Sequence, residues 1–162
     1  MFKKILVPLD GSRFASRSLK YAVEIARQFN AEIILMRVEK PTTTITATDG
    51  PQPGIQSPAA AKVAVQIAFD EDKRHLSKAR RYLTRKVREL NAKKITCSYH
   101  VLIGNPAEAI ILYARKKKID LIIMTSHGKG GIVRAVMGSV ADEVVRNSGK
   151  PVLVIRPNKR SE

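Results

Sequence analysis

Short runs of branched apolar residues alternate along this chain with longer stretches in which apolar residues recur every third or fourth position. The first run, Lys4 to Leu9, is apolar almost throughout, the pattern of a strand covered on both faces. Asp10-Gly11-Ser12 interrupts it, and Ser12 stands where a helix N-cap is wanted. Ala15, Leu19, Ala22, Val23 and Ala26 then repeat at helical spacing, and Asn30 ends that helix. Glu32 to Val38 predicts a second strand. From Ala61 to Leu90 a long amphipathic helix is expected, with Val65, Phe69, Leu76, Ala79, Leu83, Val87 and Leu90 as its buried stripe. Ile95 to Ile103 reads as the third strand. Gly104-Asn105-Pro106-Ala107-Glu108 then opens a helix, with Asn105 as cap, Pro106 in the first position and Glu108 completing a capping box. A fourth strand, Ile119 to Met124, precedes a glycine-rich stretch and a helix over Ser139 to Asn147. Ser139 and Asp142 suggest a capping box for that helix, and Gly149 its C-terminal stop. Pro151 to Ile155 is the fifth strand.

Strands that alternate with helices predict an α/β fold built on a doubly wound five-stranded parallel sheet, order 3-2-1-4-5, with helices on both faces. Residues 1–157 are read as one domain and 158–162 as a polar tail. In such sheets ligands bind beyond the carboxyl ends of the strands, where the strand order reverses. Here that point lies between strands one and four, which release Asp10-Gly11-Ser12 and Thr125 to Gly128. Residues 39–60 break the alternation with Thr42-Thr43-Thr44, Asp49-Gly50, Pro51, Pro53-Gly54 and Pro58. So long an irregular segment is either a mobile insert or a lid over the end of strand two.

Composition narrows the function classes. With 162 residues, 44% of them hydrophobic, the chain can bury a core. Its single cysteine, Cys97, excludes a disulfide framework. No stretch approaches the ~20 apolar residues of a membrane helix, and the run after Lys4 is too short for a secretion signal. A soluble, cytoplasmic protein is expected. The 30 Lys and Arg against 14 Asp and Glu, net +16, would attract anions of many kinds, nucleic acid included. Much of that charge lies in Lys73 to Arg88 and in Arg115 to Lys118, and aromatic residues make up only 5% with no Trp. A solvated basic surface is therefore favoured over a nucleic-acid footprint. Cys97 and His100 fall inside a strand and His75 on a charged helix face, so all three read as structural or surface residues.

The candidate chemistry lies between Met124 and Ser139. Gly128 and Gly138 flank nine residues, Lys129 to Met137. Gly128, Gly130 and Gly131 allow backbone to approach a phosphate closely, and Lys129 and Arg134 add positive charge. Gly138-Ser139 opens a helix whose free N–H groups favour an anion. The Ser139 hydroxyl can cap the helix or donate to phosphate. The stretch is neither the dinucleotide fingerprint nor a P-loop, and a glycine turn without ligand remains the alternative.

Four blocks occur in order: Lys4-Ile5-Leu6-Val7-Pro8-Leu9-Asp10-Gly11-Ser12, Gly104-Asn105-Pro106-Ala107, the glycine stretch, and Gly149-Lys150-Pro151-Val152-Leu153-Val154-Ile155. Together they resemble the universal stress protein family. The resemblance implies a Rossmann-like fold and a G-x-x-G-x9-G-[ST] motif for ATP, which Gly128, Gly138 and Ser139 match and in which Thr125 replaces the first glycine. It further implies that Asp10 and the backbone of Val38 border adenine, and that Pro8 belongs to the nucleotide-binding set. Met124, Thr125, His127 and Gly128 would line the ribose and phosphates, and Gly138, Ser139 and Val140 would hold the phosphate chain. The ligand implied is ATP, or AMP or ADP, alone or with magnesium that Asp10 reaches through the nucleotide. It also implies a homodimer built on the last strand, Pro151 to Ile155. Hydrolysis needs a positioned metal and a clamp on the transition state, and Asp10 is the one carboxylate expected at the crevice. A regulatory or sensing module with slow or no turnover is expected. The alternatives are a nucleotide-independent interaction scaffold and a basic nucleic-acid-associated protein.

Overall fold

The computed structural model describes residues 1–42, 58–126 and 137–156. Its elements run β1 (Lys4–Pro8), α1 (Arg13–Phe29), β2 (Glu32–Glu39), α2 (Pro58–Asn91), β3 (Cys97–Ile103), α3 (Pro106–Lys116), β4 (Leu121–Thr125), α4 (Ser139–Asn147) and β5 (Val152–Ile155). The strands form one parallel sheet in the order β3-β2-β1-β4-β5, as the alternation of patterns requires. Alternate residues of each strand enter opposite layers. Ile5, Val7, Ile33, Leu35, Leu121 and Ile123 pack with Ala15, Ala22 and Ala26 of α1 and Leu83 and Leu90 of α2. Leu6, Ile34, Met36, Ile122 and Met124 pack with Ile110 and Ala114 of α3 and Val144 of α4. Helices thus cover both faces.

The helix ends follow local chemistry. Ser12 Oγ accepts the Ala15 N–H at 3.0 Å, and Asn30 closes α1 with a left-handed φ of 51°. Asn105 Oδ1 accepts from the N–H groups of Ala107 and Glu108, and Pro106 follows it in the first turn of α3. The α4 start differs from expectation. Gly138, not Ser139, is the N-cap, and no side chain bonds to the first-turn amides there. Asp142 bonds instead to Arg146 Nε at 3.0 Å, so the Ser139–Asp142 box does not form.

The long helix also departs from its pattern. Ala79, Leu83 and Leu90 are buried, but Val65 and Phe69 of the same stripe are exposed. The helix begins at Pro58, three residues before the expected Ala61, and Glu39 belongs to β2. The insert is therefore shorter at both ends than 39–60. Thr42 at its start is held to α2, its N–H and Oγ1 donating to Asp72 Oδ1 at 2.9 and 2.6 Å. Residues 43–57, on which the insert-or-lid alternative turns, lie outside the described residues, as does the tail 158–162.

Cys97 is buried, and burial pushes its thiol up to about 12, so it packs rather than reacts. His75 and His100 are exposed, and the His100 ring lies 4.9 Å from that of Tyr113. No helix among the described residues is long and apolar enough to cross a membrane.

Asp120 links the chain start to β4. Its Oδ2 accepts the N–H groups of Lys3 and Lys4 at 2.8 and 2.9 Å, and these bonds hold its carboxyl below the usual aspartate range. A carboxylate depressed in the folded state contributes stability above its unfolded value, and the contribution is lost as pH falls through the folded value. The stability difference between the native protein and Asp120→Asn is therefore expected to be constant above about pH 5 and to shrink below about pH 4. Urea titrations across that range measure it.

Candidate functional site

The carboxyl ends of β1, β2 and β4 meet at the point where the strand order reverses. The pairing of β1 with β2 ends at Pro8 and Met36, followed by a last bond from Leu9 N–H to Met36 C=O at 2.7 Å. The pairing of β2 with β3 continues to Glu39 and Ile103. So β2 outruns β1 by three residues, Arg37 to Glu39.

That difference aims the backbone of Val38. In an extended strand the N–H and C=O of one residue point to the same side, and residues two apart share that side. Glu32 N–H and Met36 C=O both face β1, whereas Ile33 N–H and Glu39 C=O face β3. Val38 shares the parity of Met36, so its N–H and C=O point into the space that β1 has vacated. A parallel sheet rarely presents a donor and an acceptor side by side in this way except beyond the end of a neighbouring strand.

Below this edge, Asp10 Oδ1 accepts the Ser12 N–H at 2.8 Å and shapes the turn into α1. Gly11 carries a φ of +83°, and a Cβ on it would lie 2.5 Å from an Arg37 guanidinium nitrogen. The positive φ is what calls for glycine there, since the Arg37 tip could swing aside from a Cβ. The Arg37 guanidinium also pairs with Glu39 and lies 5.7 Å from the centre of the Tyr82 ring. The sequence reading missed Arg37. Its signal was the single cation of a strand that is otherwise apolar between its two terminal glutamates.

On the other side of the reversal, Ser126 N–H donates to Ile155 C=O at 3.0 Å, and Gly138 N–H donates to Ser126 C=O at 2.8 Å. The two ends of the glycine stretch are thus joined, and α4 begins directly above the end of β4. Its first-turn amides, without a side-chain cap, carry the positive end of the helix dipole. Ser139 is exposed on that turn. Met124 belongs to the apolar layer on the α3 and α4 side, and Val38 and Val140 pack against the same layer. Thr125, 7% exposed, has the parity of Leu121 and Ile123, which enter the opposite layer with α1. Its side chain is therefore directed away from Met124 and Val140.

The structure brings Pro8, Asp10, Val38, Met124, Thr125, Gly138, Ser139 and Val140 to one edge of the sheet. His127 and Gly128, with Lys129 and Arg134, lie outside the described residues. No group of three or more His, Cys, Asp or Glu residues that could hold a metal occurs among the described residues.

The pattern of the universal stress protein family matches residues 1–156. The chain belongs to the universal stress protein family. Universal stress protein MJ0531 of Methanocaldococcus jannaschii is 32% identical over 160 residues, 99% of this chain and 85% of that protein. The solved structure of MJ0577, a universal stress protein of the same organism, superposes with a TM-score of 0.80 at 26% identity, over 98% of this chain and 99% of that one. A structure of an Arabidopsis thaliana family protein with AMP bound shares the fold, with a TM-score of 0.58 at 19% identity, over 97% of this chain and 93% of that one. Membership of that family associates the protein with the stress response.

Proposed function

We propose that the crevice at the carboxyl ends of β1, β2 and β4 binds an adenine nucleotide, ATP or its di- or monophosphate, alone or with magnesium. The observation that carries this reading is the direction of the Val38 backbone. An N–H beside a C=O matches the acceptor and donor on the edge of an adenine ring. Pro8, Met124 and Val140 offer apolar surface beside it. Ser139 and the amides of Ser139 and Val140 supply a hydroxyl donor and a helix N-terminus for phosphate. Asp10 lies at the mouth of the crevice, and His127 and Gly128 would line the ribose and phosphates. The buried threonine at 125 is consistent with this ligand, because strand alternation directs its bulk to the opposite layer. In the Arabidopsis protein, the same fold carries AMP.

On this reading the protein works as a cytoplasmic sensor or regulator, with at most slow ATP hydrolysis. A second copy pairs with it through β5, an edge strand of four residues whose free side needs cover.

Calorimetry and thermal unfolding test the ligand. ATP with magnesium at about a hundred times its Kd would add about 2.7 kcal/mol, which corresponds to roughly 5–10 °C in Tm for a chain of this size. No heat and no shift at millimolar ATP would reject the nucleotide and leave the interaction scaffold. Mass spectrometry of material released by denaturation gives an independent check for co-purified adenine nucleotide.

A further inference from the structure

The ten Lys and Arg residues between Lys73 and Lys94 are accompanied by a single carboxylate, Glu89, so 22 residues carry nine of the sixteen net charges. The structure shows how they are arranged. Arg74, Lys78, Arg81, Arg85 and Arg88 follow one another at intervals of four, three, four and three residues along α2, and all five are exposed. That spacing keeps them on one side of a helix. The buried residues Ala79, Leu83 and Leu90 occupy the opposite side. The line from Arg74 to Arg88 is about 21 Å long at the rise of an α-helix.

These cations are largely uncompensated. Among the described residues, Arg85 alone of the five has a carboxylate within ion-pair reach, Glu89 at 3.8 Å. Glu89 is engaged more closely by Lys86, whose Nζ lies 2.9 Å away and whose hydrogen bond holds the carboxyl below its ordinary range. Asp70, one turn before Arg74, accepts from Gln66 instead. A straight row of cations repels itself, and among the described residues only Glu89, beside Arg85, relieves that. The row is also rigid, because the half of α2 that carries most of it is packed against the sheet.

We propose that this row is a docking surface for the phosphate backbone of double-stranded nucleic acid, read without regard to sequence. The charge is complementary, and the length spans about six base pairs of duplex. Single strands are disfavoured, since stacking needs exposed aromatic platforms and the stripe has none. An acidic membrane fits less well. A membrane-surface helix needs one apolar face to insert. The apolar side of this half of α2 is buried, and the exposed Val63, Val65, Ile67 and Phe69 at its other end alternate between opposite sides of the helix. The row lies on the solvent side of the α1 and α2 layer, so the proposal stands or falls separately from nucleotide binding in the crevice.

Fluorescence anisotropy with two short duplexes of unrelated sequence tests it in the full-length protein. Both should bind with equal affinity at about 50 mM salt, with a steep salt dependence. Replacing Arg74, Lys78, Arg81 and Arg88 by Gln should weaken binding at least about tenfold and make the slope of log K against log salt shallower by about 4. Replacing the exposed Lys3, Lys116, Lys117 and Lys118 by Gln removes the same charge from positions away from the row and should cost less than about threefold. Far-ultraviolet circular dichroism confirms that both variants keep their helices. The proposal is overturned if neither duplex binds at low salt, if the two variants lose affinity equally, or if phosphatidylglycerol vesicles retain the protein and the duplexes do not.

Discussion

Leu83→Ala is expected to lower the free energy of unfolding by about 2–5 kcal/mol, the largest stability effect of a single truncation on α2. Leu83 is fully buried, in the layer that joins α2 to Ile33 and Leu35 of β2 and Cys97 of β3. Truncation removes its burial and leaves a cavity between rigid strands that cannot close around it. The urea midpoint should fall by about 1–2 M with an unchanged slope. Phe69→Ala, about four turns toward the amino end of the same apolar stripe, is expected to change stability by no more than about 0.5 kcal/mol. Phe69 is 53% exposed, with Lys73 Nζ 4.4 Å from its ring centre. Equal shifts for the two variants would contradict the placement of α2.

The contrast between Leu83 and Phe69 marks where the sequence stopped being informative about the fold. Periodicity shows which side of a helix is apolar, but not how much sheet there is to cover. β3 has seven residues, about 23 Å of strand. α2 has 34 residues, about 51 Å of helix. The helix must overhang, and the stripe extends past the sheet at Val65 and Phe69. Local chemistry was more legible. The Ser12 and Asn105 caps, the left-handed Asn30 and the five strands follow from residue types whose preferences act over a few positions. Ser139 misled for a long-range reason. The bond from Gly138 N–H to Ser126 C=O fixes the chain one residue earlier, so Gly138 takes the cap position and leaves Ser139 in the first turn. The candidate site was legible as a set of strand ends, because a doubly wound sheet has only one reversal of order. Its details were not. The layer that Thr125 enters and the packing of Arg37 over Gly11 depend on strand parity and on which strand ends first.

Val38→Pro is expected to weaken ATP binding by about 5- to 150-fold while leaving the fold intact, the cost of one unmade hydrogen bond in a closed site. Proline removes the N–H of residue 38 and keeps its C=O. Because that N–H faces the space beyond β1, the bonds between β2 and β3 do not use it, as the Gly104 N–H to Glu39 C=O bond at 2.9 Å illustrates on the other side of the strand. The residue before a proline must be extended, and Arg37 already is, within β2. Proline is tolerated in a strand where its missing donor would not have joined the ladder. Val38→Ala keeps the donor and loses only part of a half-buried side chain, so its affinity should stay within about threefold of the native value. Calorimetric titration of the two variants separates the backbone from the side chain. Equal affinity of Val38→Pro and the native protein, with Tm within a few degrees, would remove Val38 from the adenine edge. Loss of affinity in both variants alike would assign the effect to packing in the layer that Val38 shares with Met124 and Val140.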